Sequence, residues 1–118
     1  MVTTKLASRQ CVACTSKTPP LSPTLVQELL PEVPEWQLAA DGKHLSRSWR
    51  VHNFLTALDF FRRISEVAEA QDHHPDLHLT NYRDVSVEIA THEVGGLTDN
   101  DFILAAKIDG LTPPKLKE

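Results

Sequence analysis

The sequence predicts a two-layer α+β domain, a four-stranded antiparallel sheet with helices packed on one face. Three observations carry this. Apolar spacing switches between three-and-four and two along the chain, in the order helix, strand, strand, helix, strand, strand, helix. Asp41-Gly42, between the first two strand segments, is a hairpin signal, and hairpins pair strands antiparallel. The length of 118 residues, 41% of them hydrophobic and 24% charged, suits one globular core and not two. Helices that are apolar on one stripe bury it against one face of such a sheet.

Residues 1–20 read as an N-terminal tail, flexible or loosely docked, and 21–118 as a single domain. The tail carries Lys5, Arg9 and Lys17, and the first acid is Glu28. That composition is shared with transit peptides, but the segment is short and has no amphipathic stripe. A cytoplasmic location is expected, with organelle targeting by the basic tail left open. Cys11 and Cys14 lie in this Thr/Ser/Lys-rich segment. A redox CxxC is expected after a strand and at the start of a helix, and a zinc site needs further ligands. Neither context is present, so a reducing compartment and no catalytic role are expected for the pair.

Ser22 precedes Pro23, a residue favoured at the first helical position, and Leu25, Val26, Leu29 and Leu30 follow at helical spacing. Pro31 and Pro34 limit this helix to about two turns. Trp36 to Ala39 is a short strand. After the hairpin, Leu45, Arg47, Trp49 and Val51 share one face of a second strand, with Arg47 discordant. Asn53 caps a long helix whose apolar positions are Phe54, Leu55, Leu58, Phe61, Ile64, Val67 and Ala68. Pro75 disfavours helical geometry at His74, which ends the helix near Asp72. Leu77 to Thr80 and Val85 to Thr91 are the last strands, followed by a Gly95-Gly96 turn. Thr98 with Asp101 three residues on reads as a capping box opening the final helix. Gly110 and Pro113-Pro114 close it.

Charge excludes some functions. The net charge is −4 and the twelve Lys and Arg are scattered, so no basic stripe predicts direct nucleic-acid binding. No apolar run approaches the roughly 18 residues of a membrane span. There is no nucleophile elbow, P-loop or GxGxxG.

The six histidines are more informative. His73 and His74 stand where the long helix stops, and His92 stands at the end of the last strand. Glu69 and Asp72 lie on the helix's final turn. Imidazole offers both protonation states near neutral pH, and a neighbouring carboxylate orients the ring, so the cluster reads as an acid-base site. A metal site is not expected. Adjacent histidines point apart on either a helix or a strand, Pro75 interrupts the His74–His78 interval, and no HExxH is present. His44, His52 and His78 read as ordinary surface or core histidines.

These residues resemble a known signature. Glu69-Ala70-Gln71-Asp72-His73-His74-Pro75, then Tyr82, Thr91-His92-Glu93, Gly96-Leu97-Thr98 and Asp101, are similar to the pattern of pterin-4a-carbinolamine dehydratases. Phe102 to Asp109 resembles the family's last helix. Trp36 falls where the family has an active-site tryptophan, and Cys11-x-x-Cys14 with Pro20-Leu21-Ser22 resembles bacterial and plant-type members.

The resemblance implies the same antiparallel α+β fold. It also implies a hydro-lyase that dehydrates 4a-hydroxytetrahydrobiopterin to quinonoid dihydrobiopterin, recycling the pterin of aromatic amino-acid hydroxylases. It implies homodimers or homotetramers and neither metal nor organic cofactor. Carried over by position, His73, His74 and His92 are catalytic. Trp36, Pro75, Thr91 and Glu93 contact substrate, with Trp36 stacking on the pterin. Glu69 and Asp72 orient the histidine rings, and Asp101 is expected only to cap its helix. Animal members have a Cys two residues after the third His, where this chain has Val94. Two alternatives accompany this reading. One is a coactivator that binds a transcription factor, as animal members do. The other is a dehydratase of a different pterin.

Overall fold

The computed structural model describes residues 6–15 and 17–111. After a 3-10 turn at Leu6–Ser8 come α1 (Pro23–Leu29), a 3-10 turn (Leu30–Glu32), β1 (Gln37–Leu38), β2 (Leu45–Arg50), α2 (Phe54–Gln71), β3 (Asp76–Thr80), β4 (Asp84–Ile89) and α3 (Asp99–Asp109). The strands form one sheet in the order β1-β2-β4-β3, antiparallel throughout. The α+β class and the four-stranded antiparallel sheet match the sequence reading.

Each helix begins where a side chain accepts from an otherwise orphan N–H group. The Ser22 hydroxyl accepts from Leu25 N, and Asn53 Oδ1 accepts from Thr56 N at 2.8 Å. At α3 the capping box is complete: the Thr98 side chain receives backbone N–H of the first turn, and Asp101 Oδ2 accepts from Thr98 N at 2.8 Å. Gly110, at the end of α3, is right-handed, with φ −80 and ψ −6, so it is not the left-handed cap common at that position. Pro113 and Pro114 lie outside the described residues.

The inner face of the sheet carries Leu45, Val85, Val87 and Ile89, all buried, and the outer face carries Ser46, Ser48, Arg50, Thr80, Ser86 and Glu88. Arg47 sits on the inner face and its charge is accounted for. Its Nη1 donates to Asp109 Oδ1 at 2.7 Å, and its guanidinium lies 4.6 Å from the Trp49 ring centre.

α2 buries Ala57, Phe60, Ile64 and Ala68. This corrects the expected stripe, because Phe54, Leu55 and Leu58 are exposed. Both stripes have helical spacing, and only the angle at which α2 lies on the core chooses between them. α3 is buried on nearly every side, from Asn100 through Ala106 and again at Ile108. It packs against β4, α2 and the turn at Leu6–Ser8.

Within the described residues, the stretch 7–12 lies along α3. Asn100 Oδ1 accepts from Val12 N at 3.0 Å and its Nδ2 donates to Val12 O at 2.7 Å. Lys107 Nζ donates to Ala7 O, and Cys11 N donates to Gln71 Oε1. No helix among the described residues is long and apolar enough to cross a membrane.

Candidate active site

α2 ends in a left-handed residue that redirects the chain. Asp72 has φ 52 and ψ 41. Asp72 N donates to Glu69 O, and His73 N donates to Ala68 O at 3.2 Å, the paired bonds of a Schellman motif. The next residues run into β3 with extended alternation, so His73 turns inward and His74 outward. Burial agrees: His73 is 9% exposed and the His74 side chain 56% exposed.

The same alternation continues past β4. Ile89 is buried, Ala90 half-buried, Thr91 buried and His92 exposed. Thr91 bridges to Gly96, and the N–H of Gly95 donates to Thr91 O and His92 O. Gly95 takes φ +72, a region costly for a side-chain residue. A Cβ at Gly96 would stand 3.1 Å from Pro20 Cβ, so the turn is also closely covered.

Asp101, fully buried, joins these two strand ends. Its Oδ1 lies 2.7 Å from His73 Nε2, and its Oδ2 accepts from Thr91 Oγ1 at 2.8 Å. With Thr91 donating to the carboxylate, Thr98 Oγ1 donates to Thr91 Oγ1 at 2.9 Å. The carboxylate and both hydroxyls of this knot have partners, as burial demands. Its effect is to fix the His73 ring and commit Nε2 to the carboxylate, leaving Nδ1 as the nitrogen for other chemistry. Asp101 is thus more than the helix cap expected from sequence.

His74 is held more loosely, by Glu69 Oε2 at 2.7 Å from Nε2. Asp72, expected to orient a histidine, makes no hydrogen bond to one among the described residues. Its left-handed backbone ends the helix and its side chain is exposed.

His92 lines a cleft of about 160 Å³ together with Lys43, His44, Ala90, Thr91, Gly95 and Gly96. Pro75 is half-buried and Glu93 exposed, both beside the histidines they follow in sequence.

Trp36 stands apart. It is 4% exposed, packs edge-on to Trp49 with ring centres 6.1 Å apart, and donates from Nε1 to Asp109 Oδ1 at 2.8 Å. Asp109 is at the opposite end of α3 from Asp101, about 12 Å away at helical rise. The ring expected to stack on substrate is thus packed in the core in this structure.

The three site histidines are therefore gathered at one end of the sheet, His73 from within and His74 and His92 from the outer side. Two larger depressions lie elsewhere. One, of about 320 Å³ on the outer sheet face, has its Arg50 and Asp84 paired to each other. The other, of about 390 Å³, lies between α2 and α3. Among the described residues no three His, Cys, Asp or Glu side chains converge as metal ligands would.

Comparison with known proteins identifies the family. The family model for pterin 4 alpha carbinolamine dehydratase matches residues 19–111. The chain is 49% identical over 109 residues to pterin-4-alpha-carbinolamine dehydratase 2, mitochondrial, of Arabidopsis thaliana. That alignment covers 90% of this chain and 58% of the plant protein, so the chain spans little more than half of that relative. It is 44% identical to a Halorhodospira halophila protein named as a pterin-4-alpha-carbinolamine dehydratase, over 90% of this chain and 96% of that one. The crystal structure of a transcriptional coactivator/pterin dehydratase from Brucella melitensis superimposes with a TM-score of 0.71 at 31% identity, over 77% of this chain and 96% of that one. A match across most of the chain, with the signature histidines on one sheet end, places this chain in the pterin-4-alpha-carbinolamine dehydratase family.

Proposed function

We propose that the chain dehydrates a 4a-hydroxytetrahydropterin, of which 4a-hydroxytetrahydrobiopterin is the favoured case, by histidine acid-base catalysis. The observation that carries this is the buried His73–Asp101 pair at 2.7 Å, which sets a titratable ring rigidly beside two exposed histidines. His73, as imidazolium, protonates the C4a hydroxyl, with His92 approaching the same group from the other strand end. The C4a–O bond breaks, water leaves, and the N5 lone pair forms the C4a–N5 double bond. His74, held by Glu69, binds the pterin and takes the N5 proton. The sum is loss of one water, and the quinonoid dihydropterin it yields is the form that recycling of a hydroxylase cofactor requires.

General acid-base help is worth about 10²- to 10⁴-fold. That suffices here, because the carbinolamine nitrogen already pushes the hydroxyl out. Pro75 and the backbone of Thr91 and Glu93 border the substrate. Turnover of freshly generated carbinolamine, followed in the ultraviolet for wild type and His74→Ala, tests the reading. Fast decay with wild type and a large drop in the variant supports it. Decay no faster than in buffer with well-folded wild type ends it.

A second property has its own observation. Phe54 is 49% exposed, Leu55 75% and Leu58 43%, all on the first turns of α2. An apolar patch on a helix favours association, and we assign it to a homodimer or homotetramer contact. A transcription-factor partner on this surface is the alternative, since the Brucella melitensis neighbour is described as a coactivator.

A further inference from the structure

Ala90 sits on the outer side of the sheet end that holds the site histidines. The sheet register pairs Leu45 with Ile89 and Asp76 with Glu88. Beyond these ends the strand order leaves His44 on the β2 side of Ala90 and His74 on its β3 side, and His44 and Ala90 line one cleft. Parity agrees, because Leu45, Ile89 and His73 are buried while His44, Ala90, His74 and His92 are half-buried or exposed. Ala90, with the smallest side chain on this rim, leaves a shallow floor with histidines on three sides.

His44 is held as His74 is. Asp41 Oδ2 lies 3.2 Å from its Nδ1, as Glu69 Oε2 lies 2.7 Å from His74 Nε2. Asp41 is itself fixed by Lys43 N at 2.8 Å. The Lys43 backbone N–H, followed by the His44 ring, holds the Asp41 carboxyl below the ordinary carboxylate range. With Nδ1 committed to Asp41, Nε2 is the nitrogen available to a ligand, and His44 lines the cleft with His92. It comes from the β2 side of Ala90 and His74 from the β3 side, so His44 is placed to meet a substituent of the same flat molecule and not its reacting carbon.

We propose that His44, oriented by Asp41, is a specificity-determining residue that hydrogen-bonds a hydroxylated side chain at C6 of the pterin. This rests on the dehydratase reading above. A hydroxyl both donates and accepts, so it satisfies Nε2 in either protonation state of the ring. A methyl group at C6 leaves that nitrogen to water.

The test uses the full chain and two substrates generated in place, the carbinolamines of a tetrahydropterin with a dihydroxypropyl group at C6 and of one with a methyl group there. The readout is the ratio of kcat/KM for the two. For His44→Ala the ratio falls about five- to tenfold, the worth of one hydrogen bond, with the change in KM for the hydroxylated substrate. His44→Gln, which keeps a donor and an acceptor, restores part of it, and Asp41→Asn lowers it by less than His44→Ala. His44 is on an exposed hairpin, so these variants are expected to fold, and circular dichroism checks that. An unchanged ratio with active wild type overturns this proposal alone, as does an equal loss on both substrates, which makes His44 a general wall. A wild type that accelerates neither substrate removes the dehydratase reading, and this proposal with it.

Discussion

Asp101 and Asp109 stand two turns apart on the same helix, and each gathers donors from two other segments. Asp101, near the N-terminus of α3, takes His73, Thr91 and the Thr98 N–H. Asp109, at the C-terminus, takes Trp36 Nε1 and Arg47 Nη1, both on Oδ1. The first is fully buried and the second has a 26% exposed side chain. The helix field favours a carboxylate at the first place and opposes it at the second, where the Arg47 charge compensates. What separates a site from a brace is the partner. Arginine and indole hold one protonation state at all ordinary pH, so Asp109 ties β1 and β2 to α3 and does nothing more. Histidine can gain or lose a proton at neutral pH, so under the proposed function the same construction around Asp101 supports chemistry.

The largest expected effects come from breaking the buried end. Asp101→Ala strands a buried imidazole, a buried hydroxyl and a helix N–H together. It is expected to cost about 3–5 kcal/mol in urea unfolding, the scale for removing one partner of a buried ion pair. Asp109→Ala, by contrast, is expected to cost about 1–3 kcal/mol, because it orphans the buried Trp36 Nε1 while Arg47 keeps access to water, and to leave kcat/KM within about twofold. Equal losses from the two would erase the distinction between the ends.

Asp101→Asn sharpens it further. The amide keeps an acceptor for the Thr98 N–H but can present an N–H to His73, which misorients the ring. Dehydratase kcat is expected to fall about 10- to 100-fold, as for other residues that orient a functional histidine, with KM little changed. Trp36→Phe, at the other end, loses the indole hydrogen bond and some packing, at about 1–2 kcal/mol. Its KM for the pterin is expected to be unchanged, and a several-fold rise would return Trp36 to the pocket.

The smallest effect concerns the strap over α3. Burial, and then the Asp101 charge, pushes the Cys11 thiol up to about 11. At pH 8 its thiolate is about a thousandth of the total, so iodoacetamide should label Cys14 first, as read by peptide mass. Because the folded value is raised, the associated stability is complete below the free-thiol value near 9 and is lost as pH rises towards 11. Protection of Cys11 should therefore decline over that window and begin to decline earlier in Asp101→Asn.

Local chemistry was readable where it is self-contained. The Ser22, Asn53 and Thr98 caps, the Asp41-Gly42 turn and the stop before Pro75 depend on neighbours within a few residues. All appear where the sequence places them. The histidines at the two element ends were equally visible, because period and breaker residues locate those ends. From sequence Asp101 reads only as a cap, since a capping box explains the residue completely when His73, twenty-eight positions away, is out of view. His44 reads as ordinary because nothing along the chain shows that β2 and β3 flank β4.

By itself the sequence determined the number, kind and order of the elements, the caps and turns that delimit them, and the histidine pair that the family signature contains. These follow from propensity and period, which act over a few residues. The tertiary structure alone decided which stripe of α2 faces inward, that Trp36 belongs to the core, and that Asp101 serves His73. It also decided that the strand order β1-β2-β4-β3 brings His44 round to His92. Burial and long-range hydrogen bonds are properties of pairs, and a pair separated by tens of residues leaves no mark in either residue's local sequence.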